Sequence, residues 1–321
     1  MTRRVAAVDC GTNSIRLLIA DVDPDRATLT DVDRRMEIVR LGQGVDTTGC
    51  LAPDALDRTL TALSGYAALI SERGIAERGA GAVRMVATSA TRDAANADEF
   101  VRRVTEVLGT GPEVLSGDGE ARLSFLGATA ELGPRVPSPY LVVDIGGGST
   151  EFVLGADGEV TSALSVDIGC VRMTERHLRA DPPSAAQIAA ATADIDAAIA
   201  RAAAVVDATQ ARTLVGLAGS VTTVAGIALD LPGYDPERLH HARISAAQVH
   251  QVTTRLLAQT RAERARIPVM HPGRIDVIAA GALILDRLMI QLGLAEVLVS
   301  EHDILDGIAW SIATPDPVPS P

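Results

Sequence analysis

Val5-Ala-Ala-Val-Asp9-Cys-Gly11-Thr-Asn-Ser14 and Leu141-Val-Val-Asp144-Ile-Gly146-Gly-Gly-Ser149 are two copies of one pattern: an apolar strand, a terminal Asp, a glycine turn and a Ser. Asp9, Gly11 and Ser14 recur at Asp144, Gly146 and Ser149 with one constant offset of 135 residues. Such self-similarity is the signature of a duplicated architecture. Each copy is followed by a second apolar run, Ile15 to Val22 and Glu151 to Leu154, that reads as a strand leaving a tight turn. Working outward, the first half predicts strands near 4–10, 14–22, 27–40, 83–87 and 113–115, with helices near 53–73, 96–108 and 119–132. The second half predicts strands near 140–145, 150–155, 158–166, 213–218 and 296–299. Its helices fall between 171 and 207, at 220–229, from 245 to 292 and at 303–313. Helix 53–73 opens on Pro53, carries Leu56, Leu60, Leu63 and Tyr66 on one face and stops at Gly74. The order βββαβαβα therefore occurs twice, with helical insertions in the second copy.

A length of 321 residues suits two domains. The breaker cluster Gly133-Pro-Arg-Val-Pro-Ser-Pro139 is the natural hinge. The expected division is 1–133 and 134–314, with helix 303–313 free to pack back on the first domain, followed by a Pro-rich disordered tail at 315–321. The 29 basic residues are all Arg and are outnumbered by 41 acidic ones, for a net charge of −12. Nucleic acid and anionic membranes, which both need a basic footprint, are poor partners for such a chain. Seven aromatic residues also leave few rings for base stacking. Cys10, Cys50 and Cys170 are odd in number and widely spaced, so neither a disulfide framework nor a zinc site is indicated. Cys10 reads as a small buried filler. The longest apolar run, Val277 to Leu285, falls short of a span, and a cytoplasmic location is expected.

The chemistry concentrates at the turns. An Asp ending a strand before a glycine turn puts a carboxylate beside backbone N–H groups that ligand atoms can approach, an arrangement able to hold phosphate oxygens. A single turn of this kind also serves simply to end a strand. Two at equivalent places in duplicated domains are expected to be aimed into one shared cleft.

Taken with Arg16, Ala87-Thr-Ser-Ala-Thr-Arg92, Gly119-Glu-Ala-Arg122, Asp144-Ile-Gly-Gly-Gly-Ser-Thr-Glu151, Gly216-Leu-Ala-Gly-Ser220, His271-Pro-Gly-Arg274 and Gly281, the chain resembles the exopolyphosphatase and guanosine pentaphosphate phosphohydrolase family. That family lies within the actin, sugar kinase and Hsp70 superfamily, and the resemblance, to its short two-domain form, spans nearly the whole chain. It implies an α/β fold of two duplicated actin-like (ribonuclease H-like) domains, βββαβαβα each, with a cleft between them. It further implies a metal-dependent hydrolase removing the terminal phosphate of inorganic polyphosphate or of guanosine pentaphosphate, the latter linking it to the stringent response. Mg²⁺, or Mn²⁺, is the implied cofactor, and hard oxygen ligands with retained water suit it.

The resemblance carries roles over to matching positions. Asp144 holds the ion, with Glu151 and Asp9 as further acidic candidates, Asp9 ordering metal-bound water; each also reads as an ordinary strand-end or solvated acid. Glu120 activates the attacking water. From the residues alone it is equally an acidic first-turn residue favoured by the helix dipole. Relatives carry another acid where Gly119 stands, so the local loop differs here. Arg92 suits a bidentate phosphate contact, or else pairs with Asp93 or Glu120. Asn13, Ser14, Gly146, Gly147, Gly148, Ser149, Gly219 and Ser220 are candidate substrate contacts. Arg172, Arg243 and Arg274 could extend a track for a long chain, or be solvated charges. His302-Asp303 reads as a helix start with Asp303 as cap. A kinase of the same fold and a non-catalytic phosphate sensor are the rival classes. Helix 277–292 serves either as core or as the face of a homodimer.

Overall fold

A computed structural model of the chain describes residues 2–75, 80–133 and 135–314. The expected tail at 315–321 and Pro134 of the expected hinge lie outside the described residues. The chain divides into two compact units, Met1–Leu132 with Asp303–Pro321, and Gly133–His302.

In the first unit β1 (Arg3–Cys10), β2 (Ser14–Asp23), β3 (Thr28–Ile38), β4 (Val83–Ala87) and β5 (Glu113–Val114) form one sheet in the order β3-β2-β1-β4-β5. The first three strands are antiparallel neighbours, and β4 and β5 join in parallel. Side chains alternate across a strand, so the apolar run of β1 and β2 feeds two cores. Ala6, Val8, Cys10, Ile15, Leu17 and Ile19 face one side, and Val5, Ala7, Leu18, Ala20 and Val22 the other. The short α1 (Val45–Thr48) leads into α2 (Pro53–Glu72), and the short α3 (Ser89–Arg92) into α4 (Ala97–Leu108). Leu56, Leu60 and Leu63 of α2 with Phe100 and Val104 of α4 cover the first face.

The second face is covered by α5 (Gly117–Thr129) and by the last helix of the chain, Ile304–Ala313, which brings Ile304, Leu305, Ile308 and Trp310. These two helices touch backbone to backbone at paired glycines. A Cβ on Gly127 would lie 1.8 Å from the Asp303 carbonyl oxygen, and one on Gly307 would lie 1.9 Å from that of Leu123. Helix α5 begins two residues earlier than the expected 119 and ends at Thr129 rather than 132. Ser116 caps it by accepting the Gly119 N–H at 3.1 Å, which draws Gly117 and Gly119 into the first turn.

The second unit repeats the scheme. Its strands β6 (Tyr140–Ile145), β7 (Thr150–Ala156), β8 (Glu159–Val166), β9 (Thr213–Leu217), β10 (Arg243–Ser245) and β11 (Glu296–Val299) run in the order β10-β11-β9-β6-β7-β8. Reversed, this is the order of the first sheet with β10 added as an edge. The helices are α6 (Cys170–Arg176), α7 (Ala185–Ala203), α8 (Ala218–Ala228), α9 (Pro236–Leu239), α10 (Ala246–Ala258), α11 (Arg261–Arg264) and α12 (Ile278–Gln291); the last helix, Ile304–Ala313, is α13. Helices α7 and α10 start with full capping boxes, Ser184 with Gln187 and Ser245 with Gln248. Helix α12, whose apolar side could have been core or dimer face, is core: Ile278, Leu283, Ile284, Leu285 and Leu288 are buried with β6, β7 and α7 residues. Each unit thus has the expected actin-like arrangement, an antiparallel three-stranded meander continued by parallel strands, to which the second unit adds β10 antiparallel to β11. Among the described residues no helix is long and apolar enough to cross a membrane.

Candidate active site

The two glycine turns are built alike. Gly11 N–H donates to Ser14 O at 3.0 Å, and Gly146 N–H donates to Ser149 O at 3.1 Å. In the second unit the carbonyls of this turn point at the start of α6. Gly146 O accepts from Cys170 N–H at 3.0 Å, Gly147 O from Val171 N–H at 2.9 Å, and Gly148 O from Arg172 Nε at 2.8 Å. In a planar trans peptide the next N–H points opposite to each carbonyl. The N–H groups of Gly147, Gly148 and Ser149 are thereby directed away from the α6 donors that these carbonyls accept from, three successive donors of the kind that can serve an anion. The contact is tight: a Cβ on Gly169, just before α6, would lie 2.3 Å from the Gly147 carbonyl.

In the first unit the turn is braced by the segment after β3. Asn13 O accepts from Val39 and Arg40 N–H at 3.1 and 2.9 Å, and Thr12 O accepts from Gly42 N–H at 2.9 Å. The Thr12 and Ser89 hydroxyls, both buried, share a hydrogen bond at 2.9 Å that ties the turn to α3, the short helix that ends at Arg92.

Asp144 and Glu151 are both buried and face each other directly across β6 and β7. Glu151 Oε1 accepts from Ser165 Oγ at 2.7 Å. Two carboxylates in cross-strand register repel unless something positive or protic stands with them. Asp9 occupies the equivalent place in the first unit, but its cross-strand neighbour is Arg16, which stands at the offset of 135 from Glu151. Arg16 donates through Nε at 3.0 Å and Nη2 at 2.6 Å to the single oxygen Asp9 Oδ2, and through Nη1 to Asp303 Oδ2. Asp9 Oδ1 is buried and has no hydrogen-bond partner among the described residues. Burial raises the Asp9 carboxyl above its ordinary value despite Arg16. At Asp303 burial is outweighed by the same guanidinium and the Leu305 N–H, which hold that carboxyl below its ordinary range.

Glu120 is buried in the first turn of α5 and accepts from Arg92 Nη1 at 3.1 Å. The same Nη1 donates to Leu115 O at 2.9 Å, so Arg92 is anchored to the strand end as well as to Glu120. Of the two partners expected for Arg92, Glu120 is the one the structure supplies. Gly219 lies in the first turn of α8 beneath the Arg274 guanidinium, whose Nη1 donates to Gly219 O at 3.0 Å. Ser220 is directed into the interior, where a Cβ on Gly281 would lie 2.2 Å from its hydroxyl. Arg243 is paired with Glu296 at the sheet edge rather than joining a track. Cys10 is buried, and burial raises its thiol well above the ordinary value, so it is a filler and not a nucleophile.

Ser165 and Asp303 were not singled out from sequence as site residues. Ser165 lies on a different strand from Glu151, and Asp303 lies 287 residues from Arg16. One signal for the second was present: Arg16 sits where the repeat places an acid.

No cluster of three or more His, Cys, Asp or Glu is placed to hold an ion among the described residues. In the second unit the buried Asp144 and Glu151 pair, and in the first unit the Asp9 carboxylate, offer hard oxygen donors, few in number in either unit. They fit a cation that keeps most of its water.

The family model described as "Ppx/GppA phosphatase family" matches residues 18–314. Exopolyphosphatase 2 of Mycobacterium tuberculosis is 49% identical over 97% of this chain and 98% of its own length. The crystal structure of an exopolyphosphatase-like protein superposes with a TM-score of 0.91 at 42% identity, covering 97% of this chain and 99% of that one. A Ppx/GppA family member from Aquifex aeolicus superposes with a TM-score of 0.80 at 29% identity, covering 99% of this chain and all of that one.

Proposed function

Because the chain belongs to the Ppx/GppA phosphatase family, we propose that it is an exopolyphosphatase that releases terminal orthophosphate from inorganic polyphosphate, with Glu120 as the base for the attacking water. The observation that carries this reading is the buried Glu120 carboxylate, held by an Arg92 that is itself fixed to a backbone carbonyl. A base for water needs to be ionised, oriented and sheltered, and the start of α5 beside a guanidinium provides all three.

Transfer of a phosphoryl group to water needs in-line placement and neutralisation of charge more than covalent chemistry. In the second unit the N–H groups of Gly147, Gly148 and Ser149 are suited to phosphate oxygens; in the first unit, taken by itself, Asn13, Ser14 and the Arg92 guanidinium are. Glu120 takes a proton from water as its oxygen bonds to the terminal phosphorus. The bridging P–O bond breaks, and its electron pair leaves with the shortened chain. Asp144 and Glu151 would hold Mg²⁺ or Mn²⁺, and Asp9 would order water belonging to the ion. When bound, the ion supplies charge neutralisation on phosphate oxygens.

The test is orthophosphate release by the purified chain with Mg²⁺ from short polyphosphate, long polyphosphate and guanosine pentaphosphate. Release from polyphosphate that disappears in Glu120→Gln is the expected result. Release from guanosine pentaphosphate alone would replace the substrate and keep the chemistry. Binding of phosphate chains with no release would make the protein a sensor, and the proposed reaction would be wrong.

A further inference from the structure

We propose that Arg16 and Asp303 form a positioning pair that presents Asp9 to a hydrated divalent cation through one oxygen only. The proposal rests on the reading of Asp9 as an acid acting on metal-bound water.

A guanidinium beside a lone carboxylate ordinarily takes both of its oxygens in a fork. Here Nε and Nη2 of Arg16 both go to Asp9 Oδ2, while Nη1 goes to Asp303 Oδ2. Asp303 is not free to turn away. Its Oδ1 accepts the Leu305 N–H at 2.9 Å as the cap of α13, and its own N–H donates to Asp306 Oδ2 at 2.9 Å. Asp306 is held in turn by Arg34, which also grips Asp31 on β3. The guanidinium of Arg16 is thereby fixed from behind by α13, and Asp9 Oδ1 stays bare at a residue only 4% exposed.

A buried carboxylate oxygen without a partner is costly, and such atoms are rare unless a ligand, ion or water serves them. Charge points the same way. Asp9, Arg16 and Asp303 together carry one net negative charge, whereas Asp9 and Arg16 alone would be neutral. Asp303 therefore does two things for Asp9: it leaves one buried oxygen without a hydrogen-bond partner among the described residues, and it leaves the cluster attractive to a cation. In the second unit the equivalent pair, Asp144 and Glu151, needs no such device because both partners are acids.

Asp303→Asn tests this in the full chain. The Asn amide oxygen caps α13 as Asp does, so the helix is retained, but the anion that holds Arg16 Nη1 is gone. Arg16 then covers both oxygens of Asp9. Mn²⁺ binding, titrated by electron paramagnetic resonance without substrate, is expected to weaken tenfold or more. With Mg²⁺, kcat is expected to fall by a similar factor while KM for polyphosphate changes less than threefold. In Asp303→Asn combined with Arg16→Gln the neutralising guanidinium is also absent, and Mn²⁺ affinity is expected to recover to within about threefold of wild type. Asp303→Ser, another capping residue, is the second variant should the Asn protein not fold. If Asp9→Asn weakens Mn²⁺ binding and Asp303→Asn does not, Asp303 is merely a helix cap and the proposal is overturned. If Asp9→Asn itself leaves Mn²⁺ binding unchanged, the reading of Asp9 fails and takes this proposal with it.

Discussion

Glu120→Gln keeps the volume of the side chain and removes one charge and one proton acceptor. The structure sets how large each effect should be. Arg92 Nη1 remains bonded to Leu115 O at 2.9 Å when the carboxylate is gone, so the guanidinium stays in place and substrate binding should change little. Loss of a positioned base lowers kcat by about 10²- to 10⁴-fold, or roughly 3–5 kcal/mol of barrier. Stability falls much less. The Glu120–Arg92 bond joins side chains 11% and 24% exposed, and weakening a charge-assisted bond of this kind costs about 1–2 kcal/mol. Initial rates of orthophosphate release at saturating Mg²⁺, over a range of polyphosphate concentrations, separate kcat from KM, and a thermal melt of the same sample measures the rest. A kcat within fivefold of wild type would refute the assignment of Glu120 as base. A raised KM with unchanged kcat would refute it equally, making Glu120 a binding residue.

Gly127→Ala puts a methyl group 1.8 Å from the Asp303 carbonyl, where only backbone can give way, and should cost about 3 kcal/mol or more in denaturant unfolding. Gly169→Ala forces the Gly147 carbonyl from its place at the start of α6, and a tenfold or greater rise in KM for polyphosphate is expected from steady-state kinetics, together with a lowered melting temperature. Chelation by EDTA should abolish orthophosphate release and lower the melting temperature, with both restored by added Mg²⁺. The shift in melting temperature should grow with free Mg²⁺, as binding to the folded form alone requires.

What was legible in the sequence was local. A glycine turn between two apolar runs is specified by residues within ten positions of one another, and both copies close with the same Gly-to-Ser hydrogen bond. Pro53 starts α2, and Asp303 caps α13 through the Leu305 N–H, because first-turn chemistry is written in adjacent residues. The start of α5 was misplaced for a related reason: glycines at 117 and 119 read as a loop until the Ser116 cap recruits them. Strand β10 has three residues, too few to show an alternation, and exists because Ile244 and its neighbours pair with β11. The partners of the site acids were the least legible. Ser165 for Glu151 and Asp303 for Arg16 are set by which strands and helices stack, and nothing in the nearby sequence announces them.

The docking of α13 has a consequence for biosynthesis. The second unit is one uninterrupted stretch, Gly133–His302, whereas in the first unit the sheet face carrying Val5, Ala7, Leu18 and Ala20 has only α5 over it until Ile304–Ala313 arrives. On the ribosome the first unit must therefore wait for a segment made after the whole second unit, with part of an apolar surface in need of shelter by chaperones meanwhile. A chain cut short just after His302, losing residues 303–321, would retain a whole second unit and a first one stripped of part of its cover, so the cut would remove far more protein than its own length.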